Sequence, residues 1–207
     1  MAIERLSQAS ILTLNKYSSM MAGSAAGDYE LISTVTVSGS STSAVTFDVS
    51  AFTSSYKHLQ ARIMFRSGIN VNGDDHQLRF NGDSTYSNYR SHYLYGNGSA
   101  SPSSATLQST QFPGINLSVN TADSSHTAGV YGVAIVDIPE AFSTSKNKVV
   151  KSFSGMPQAG TANYGITMAS GIWISTAAIT SITFYPYPGT SPYIAAGSKY
   201  SLYGIRG

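Results

Sequence analysis

His58-Leu59-Gln60-Ala61-Arg62-Ile63-Met64-Phe65-Arg66 decides the fold. Leu59, Ala61, Ile63 and Phe65 fall on one side of an extended chain. His58, Gln60, Arg62 and Arg66 fall on the other, with Met64 alone off the pattern. A period of two is what a strand buried on one face requires, so one face is core and the other meets solvent or an interface. The same habit recurs on either side. Tyr29 to Val37 alternates imperfectly, and Gly39 to Ser43 reads as a turn. Val45, Phe47 and Val49 then alternate with Thr46 and Asp48. Gln77 to Phe80 is a short strand that runs into Asn81-Gly82. Both of those residues tolerate positive φ, so the pair signals a hairpin.

Asp83 to Pro113 is polar and rich in Tyr, Ser, Asn and Gly, with room for one strand near Arg90 to Tyr95. Further strands are expected at Val130 to Ile138, Val149 to Ser154, Ile166 to Ser175, Ile182 to Tyr187 and Lys199 to Ile205. The first of these is apolar on both faces, as in a central strand. Eight to ten short strands with Gly/Ser/Asn turns predict an all-β, antiparallel β-sandwich, jelly-roll-like, over residues 29–207. Residues 1–28 form an N-terminal extended or partly helical arm. Its apolar residues Ile3, Leu6, Ile11, Leu14, Tyr17, Met20 and Met21 are spaced partly at helical intervals and suit packing on a neighbouring subunit or another protein.

Charge is scarce. Only 11% of the 207 residues are Asp, Glu, Lys or Arg, against about 25% in ordinary globular chains. A surface made of Ser, Thr, Gly, Asn and Tyr suits extended hydrogen-bonded and aromatic contact with protein or sugar. Twelve basic and 10 acidic residues give a net charge of +2. That balance argues against a nucleic-acid partner or a polybasic membrane patch. The absence of cysteine excludes disulfides and thiolate metal sites. No apolar run approaches the roughly 20 residues of a membrane helix, and no secretory signal is recognisable. The sequons at Asn97 and Asn116 are therefore not expected to carry glycan.

Catalytic patterns are weak. Serine is so common that a Ser/His/Asp set can always be assembled on paper, and no Gly-x-Ser-x-Gly elbow, P-loop or dinucleotide fingerprint occurs. His58, His76, His92 and His126 have no metal-ligand spacing and read as surface residues, with His76 and His92 bracketing the Asn-Gly turn. Lys146, Lys148 and Lys151 read as the solvated start of a strand, and Arg62 and Arg66 as partners at an interface or in solvent. Asp74, Asp75 and Asp83, with Asn72 and Asn81, fit turns that cap backbone amides better than a Ca²⁺ loop. No catalytic residue, metal or cofactor is expected. Tyrosine is the anomaly, at 14 copies. Tyr gives large contact area at low entropic cost, so Tyr86, Tyr89, Tyr93 and Tyr95, with Tyr187 and Tyr193, are candidates to line a partner surface.

Leu78-Arg79-Phe80-Asn81-Gly82-Asp83-Ser84-Thr85-Tyr86-Ser87-Asn88-Tyr89 resembles a strand-and-turn element of β-rich virion proteins of tailed bacteriophages. The ending Gly197-Ser198-Lys199-Tyr200-Ser201-Leu202-Tyr203-Gly204-Ile205 is similar to the last strand of those proteins, and Leu14-Asn15-Lys16-Tyr17-Ser18-Ser19-Met20 to some of their N-termini. The resemblance implies a non-enzymatic structural protein, made in the host cytoplasm and located in the virion. Its first expectation is a head decoration or cement protein, a homotrimer bound to the major capsid protein. The alternative is a tail-fibre or tail-associated adhesin that contacts host glycan. The Asp/Asn turns give a first prediction: chelator leaves the melting temperature unchanged in thermal denaturation, and a fall of several degrees would instead place a bound cation.

Overall fold

The computed structural model describes residues 28–68, 75–96, 103–107, 113–118, 122–156, 165–186 and 193–207. The arm residues Ile3, Leu6, Ile11, Leu14, Tyr17, Met20 and Met21 lie outside them, as do Tyr187, Asn72 and Asp74. The described residues form twelve strands in two antiparallel sheets, an all-β sandwich. The strands are β1 (Tyr29–Thr36), β2 (Val45–Asp48), β3 (His58–Phe65), β4 (His76–Phe80), β5 (Tyr89–Gly96) and β6 (Ser103–Leu107), then β7 (Ile115–Ser118), β8 (Gly132–Ile138), β9 (Lys148–Met156), β10 (Gly165–Trp173), β11 (Ser181–Pro186) and β12 (Lys199–Ile205). The large sheet has the order β1-β12-β3-β8-β9-β10-β5-β6 and the small one β2-β11-β4-β7. The chain passes repeatedly from one sheet to the other, which is the jelly-roll-like habit. Strands β6 and β7 lie beyond the expected set, in stretches whose polar composition hid them.

The strand that opened the reading behaves as its alternation dictates. Leu59, Ala61, Ile63 and Phe65 are buried, and β3 sits inside the large sheet between β12 and β8. On β2, Val45 and Phe47 face the core, with Val49 just beyond them. One contiguous cluster of buried side chains joins both sheets, from Val37 to Leu202. At its centre His76 of β4 stacks on Phe65 of β3, with centroids 4.4 Å apart. It lies nearly parallel to Phe184 of β11 at 6.4 Å. Its Nε2 shares a hydrogen bond of 3.1 Å with the buried Tyr200 hydroxyl of β12. The surface placement expected for His76 is therefore wrong: between two aromatic rings an imidazole acts as an aromatic plate with one polar atom, and that atom finds a hydroxyl. His126 is buried as well.

Asn81 and Gly82 both adopt positive φ, at 52° and 65°, and the Asp83 N–H donates to the Phe80 carbonyl. The turn is the one the sequence signals, but it closes no hairpin. Strand β4 pairs with β11 and β7, whereas β5 pairs with β10 and β6. The turn instead hands the chain from the small sheet to the large one, so His76 and His92 end up in different sheets. Long-range bonds hold it: the Asn81 carboxamide oxygen accepts from the backbone N–H groups of Thr180 and Ser181. The sheets pack tightly at Gly171 on β10, where an added Cβ would sit 2.3 Å from the Ile115 side chain of β7.

Burial pushes the His76 pKa down to about 3, so the ring is neutral in the folded chain at neutral pH. Below the ordinary histidine value of about 6.5, the unfolded chain binds a proton that the folded chain refuses. Stability therefore falls as pH drops through this window, by up to about 1.4 kcal/mol per pH unit. Urea titrations between pH 6.5 and 5 are expected to show this slope, and His76→Phe to reduce it by His76's share even though the variant is less stable overall.

Candidate functional site: the outer face of the large sheet

With the inner face fixed by the core, the pleat sends His58, Gln60, Arg62 and Met64 of β3 outward, and the register aligns them with outward residues of every neighbouring strand. One row reads Lys199, Met64, Val133, Gly155, Ile166 and Gly96 across β12, β3, β8, β9, β10 and β5. The next reads Ser201, Arg62, Ile135, Phe153, Met168 and Leu94. The third is polar: Tyr203, Gln60, Asp137, Lys151, Ser170 and His92.

The first two rows carry an exposed apolar surface. Val133 is 52% exposed, Ile135 44%, Phe153 51% and Ile166 58%, with Met64, Met168 and Leu94 in the same condition. Together these side chains leave on the order of 600 Å² in water, at the upper limit of what an ordinary monomer shows. The surface is concave. A groove of about 710 Å³ runs along the first row, walled by Met64, Val133, Ile135, Phe153 and Ile166. Gly155 forms its floor, and a Cβ built there meets nothing within 4 Å. No intramolecular packing demands glycine at this position, so its effect is to leave the groove open.

One end of the groove is polar. Arg62 places its guanidinium 5.3 Å from the Tyr29 ring and 5.4 Å from the Tyr203 ring, and those two rings stack at 4.7 Å. The Tyr29 hydroxyl donates to Gln60 Oε1 at 2.6 Å, and Gln60 Nε2 donates to Asp137 Oδ1 at 2.7 Å. This hydrogen-bonded edge flanks the apolar rows, the arrangement of a docking patch with a polar rim.

The expected tyrosine surface is not a single surface. Tyr89 is fully buried and has no area to offer a partner. It faces the core from β5, and its hydroxyl donates to the Asp83 carbonyl at 3.2 Å. Tyr86 is exposed on the short 3₁₀ turn Tyr86–Asn88. Tyr93 and Tyr95 are half-buried on the inward side of β5, and Tyr193 is half-buried next to Ile194, whose backbone bridges to Thr42 and Ser67. Sequence reasoning caught part of this surface, in Met64 off the β3 pattern and in the two-sided apolar run of β8. It missed the rest, because Phe153, Ile166 and Met168 alternate with Ser152, Ser154 and Thr167 and so read as core, whereas it is those polar neighbours that are buried.

Several described charged groups outside this face serve the fold. Burial would raise the Asp83 pKa, but hydrogen bonds from Asn88, Trp173 and Thr85 outweigh it and bring it down to about 2; the Trp173 indole N–H donates at 2.7 Å. Arg66 donates to the carbonyls of His126, Thr127 and Val130, so it clamps a loop. Lys148, expected in solvent, is buried: its Nζ donates to the Lys146 carbonyl at 2.7 Å, and burial lowers its pKa. The Ser125 hydroxyl bonds the Asp123 carboxylate, and His126 Nδ1 lies 3.0 Å from that same oxygen. A nucleophilic relay instead needs the hydroxyl on the imidazole.

Comparison of the chain with protein-family models, with curated proteins and with solved structures finds no match.

Two isoleucines of β8 test the division between core and docking face. Ile138 is fully buried and Ile135 points outward. Ile138→Ala is expected to cost about 2–5 kcal/mol, and Ile135→Ala to stay within about 0.5 kcal/mol of the parent, both read by urea denaturation of dilute protein.

Proposed function

We propose that the chain is a non-enzymatic structural protein of a bacteriophage virion that acts by docking, and that the outer face of its large sheet is the docking surface. The observation that carries this reading is the apolar groove, exposed across five adjacent strands that otherwise have a well-formed core beneath them. Water-exposed Val, Ile, Phe and Met in a contiguous concave patch are costly to keep unless a partner covers them. The charge-poor composition and the resemblance to β-rich virion proteins support the placement in a phage particle. A capsid decoration or cement role follows from that resemblance, with the major capsid protein as partner and a homotrimer as the assembled unit. A protein that binds only the assembled shell stabilises that shell by mass action.

The reading predicts that Phe153→Glu and Ile135→Glu, singly or together, fold with the parent circular dichroism spectrum and melting temperature yet fail to enter particles. Quantitative mass spectrometry of purified virions is the readout. A copy number matching the capsid lattice supports decoration. A copy number matching the tail transfers the same docking face to a tail-associated protein, and normal incorporation of both charged variants would remove the proposal.

A further inference from the structure

We infer that the partner seated in this groove is an acidic protein segment, one that presents carboxylates beside an apolar ridge. The inference rests on the docking reading and names the chemistry of the partner. The charges of the face carry it. Arg62, Lys151 and Lys199 are exposed in the three outward rows. Asp137, half-buried and bonded to Gln60, is the one carboxylate in those rows. Three cations against one carboxylate is an excess as large as the net charge of the whole chain, +2. None of the three cations stands in an ion pair among the described residues. By contrast, Glu140 lies 3.4 Å from both Lys57 and Lys146, and Glu30 lies 3.3 Å from Arg206.

Placement gives the occupant a direction. Lys199 and Arg62 stand in the first and second rows on the neighbouring strands β12 and β3, and Lys151 stands in the polar row on β9. From that cationic end the hollow runs across β8, β9 and β10, past Val133, Phe153 and Ile166. A fitting segment therefore carries carboxylates at one end and along one side, with apolar side chains between them. A second copy of this chain does not fit. Face to face, two copies would set hollow against hollow and leave a void, which close packing does not tolerate. They would also bring one surplus of cations against another. A nucleic-acid duplex supplies anions but no apolar ridge, and a flat bilayer cannot fill a hollow. An amphipathic helix, about 10 Å across, supplies the ridge. Apolar area then holds the complex, and the charges select the partner and speed its encounter.

The test uses the full-length chain and two labelled helical peptides that share a leucine stripe, one flanked by glutamate and the other by lysine. Binding is followed by fluorescence anisotropy. The acidic peptide is expected to bind about tenfold more tightly, the sum of two or three exposed ion pairs, and to lose that margin in high salt. Lys151→Gln with Lys199→Gln is expected to bring the two peptides close to parity. Gly155→Trp, which fills the hollow, is expected to weaken both. Both lysines are exposed, so the double variant keeps the parent circular dichroism spectrum; Lys199→Gln alone, with a smaller loss of preference, is the second variant. Equal binding of the two peptides, a preference that the lysine variants leave unchanged, or no binding of the acidic peptide would overturn the inference. So would self-association in sedimentation equilibrium that Gly155→Trp dissolves, because a second copy would then be the occupant. If the charge preference fails while Phe153→Glu still blocks entry into particles, the partner is wrong and the docking face stands. If Phe153→Glu enters particles normally, the docking reading itself fails.

Discussion

The structure depends on one stack of rings. His76, held between Phe65 and Phe184 and hydrogen-bonded to Tyr200, draws side chains from β4, β3, β11 and β12 into a single contact between the two sheets. A phenylalanine in its place would supply the plate but leave the Tyr200 hydroxyl buried without a partner. A solvated histidine would supply neither. The neutral imidazole satisfies both requirements, and the low dielectric that surrounds it is what keeps it neutral. Because these four strands belong to different sheets, the stack fixes how the sheets lie on each other and which face of each strand points inward.

The outer surface follows from that choice of face. A strand cannot turn one residue without turning all its neighbours, since the side-chain period is two. Once Ile63 and Phe65 are committed to the core, Arg62 and Met64 are committed to the outside. The antiparallel register then carries the commitment across β8, β9, β10 and β5. The apolar groove is thus a property of aligned rows, and no single strand possesses it. Gly155 illustrates the point: in isolation it is a glycine near the end of β9, but between Val133 and Ile166 it becomes the floor of a hollow.

The same logic explains why so few ionic groups matter to the site. Among the described residues, the carboxylate of Asp83, the guanidinium of Arg66 and the Asp123–His126 pair are occupied in holding turns and loops. Two cations stand at the edge of the groove, Arg62, stacked on Tyr29 and Tyr203, and the exposed Lys199. A surface with little charge and one apolar hollow recognises a partner by shape and area first.

Pleated alternation by itself determined a good deal. The β3 and β2 core residues, the all-β sandwich, the positive-φ turn at Asn81-Gly82 and most strand positions were legible, because each is a local pattern written in consecutive residues. Even the anomaly of Met64, and of apolar residues on both faces of β8, was visible strand by strand. Only the tertiary structure decided what those anomalies mean. The Asn-Gly turn joins two sheets because the residues it bonds, Thr180 and Ser181, lie about a hundred positions away. Tyr89 is core, and His76 is a buried plate, because their partners come from other strands. The docking face exists because register, a long-range quantity absent from any one segment, set seven separate side chains side by side.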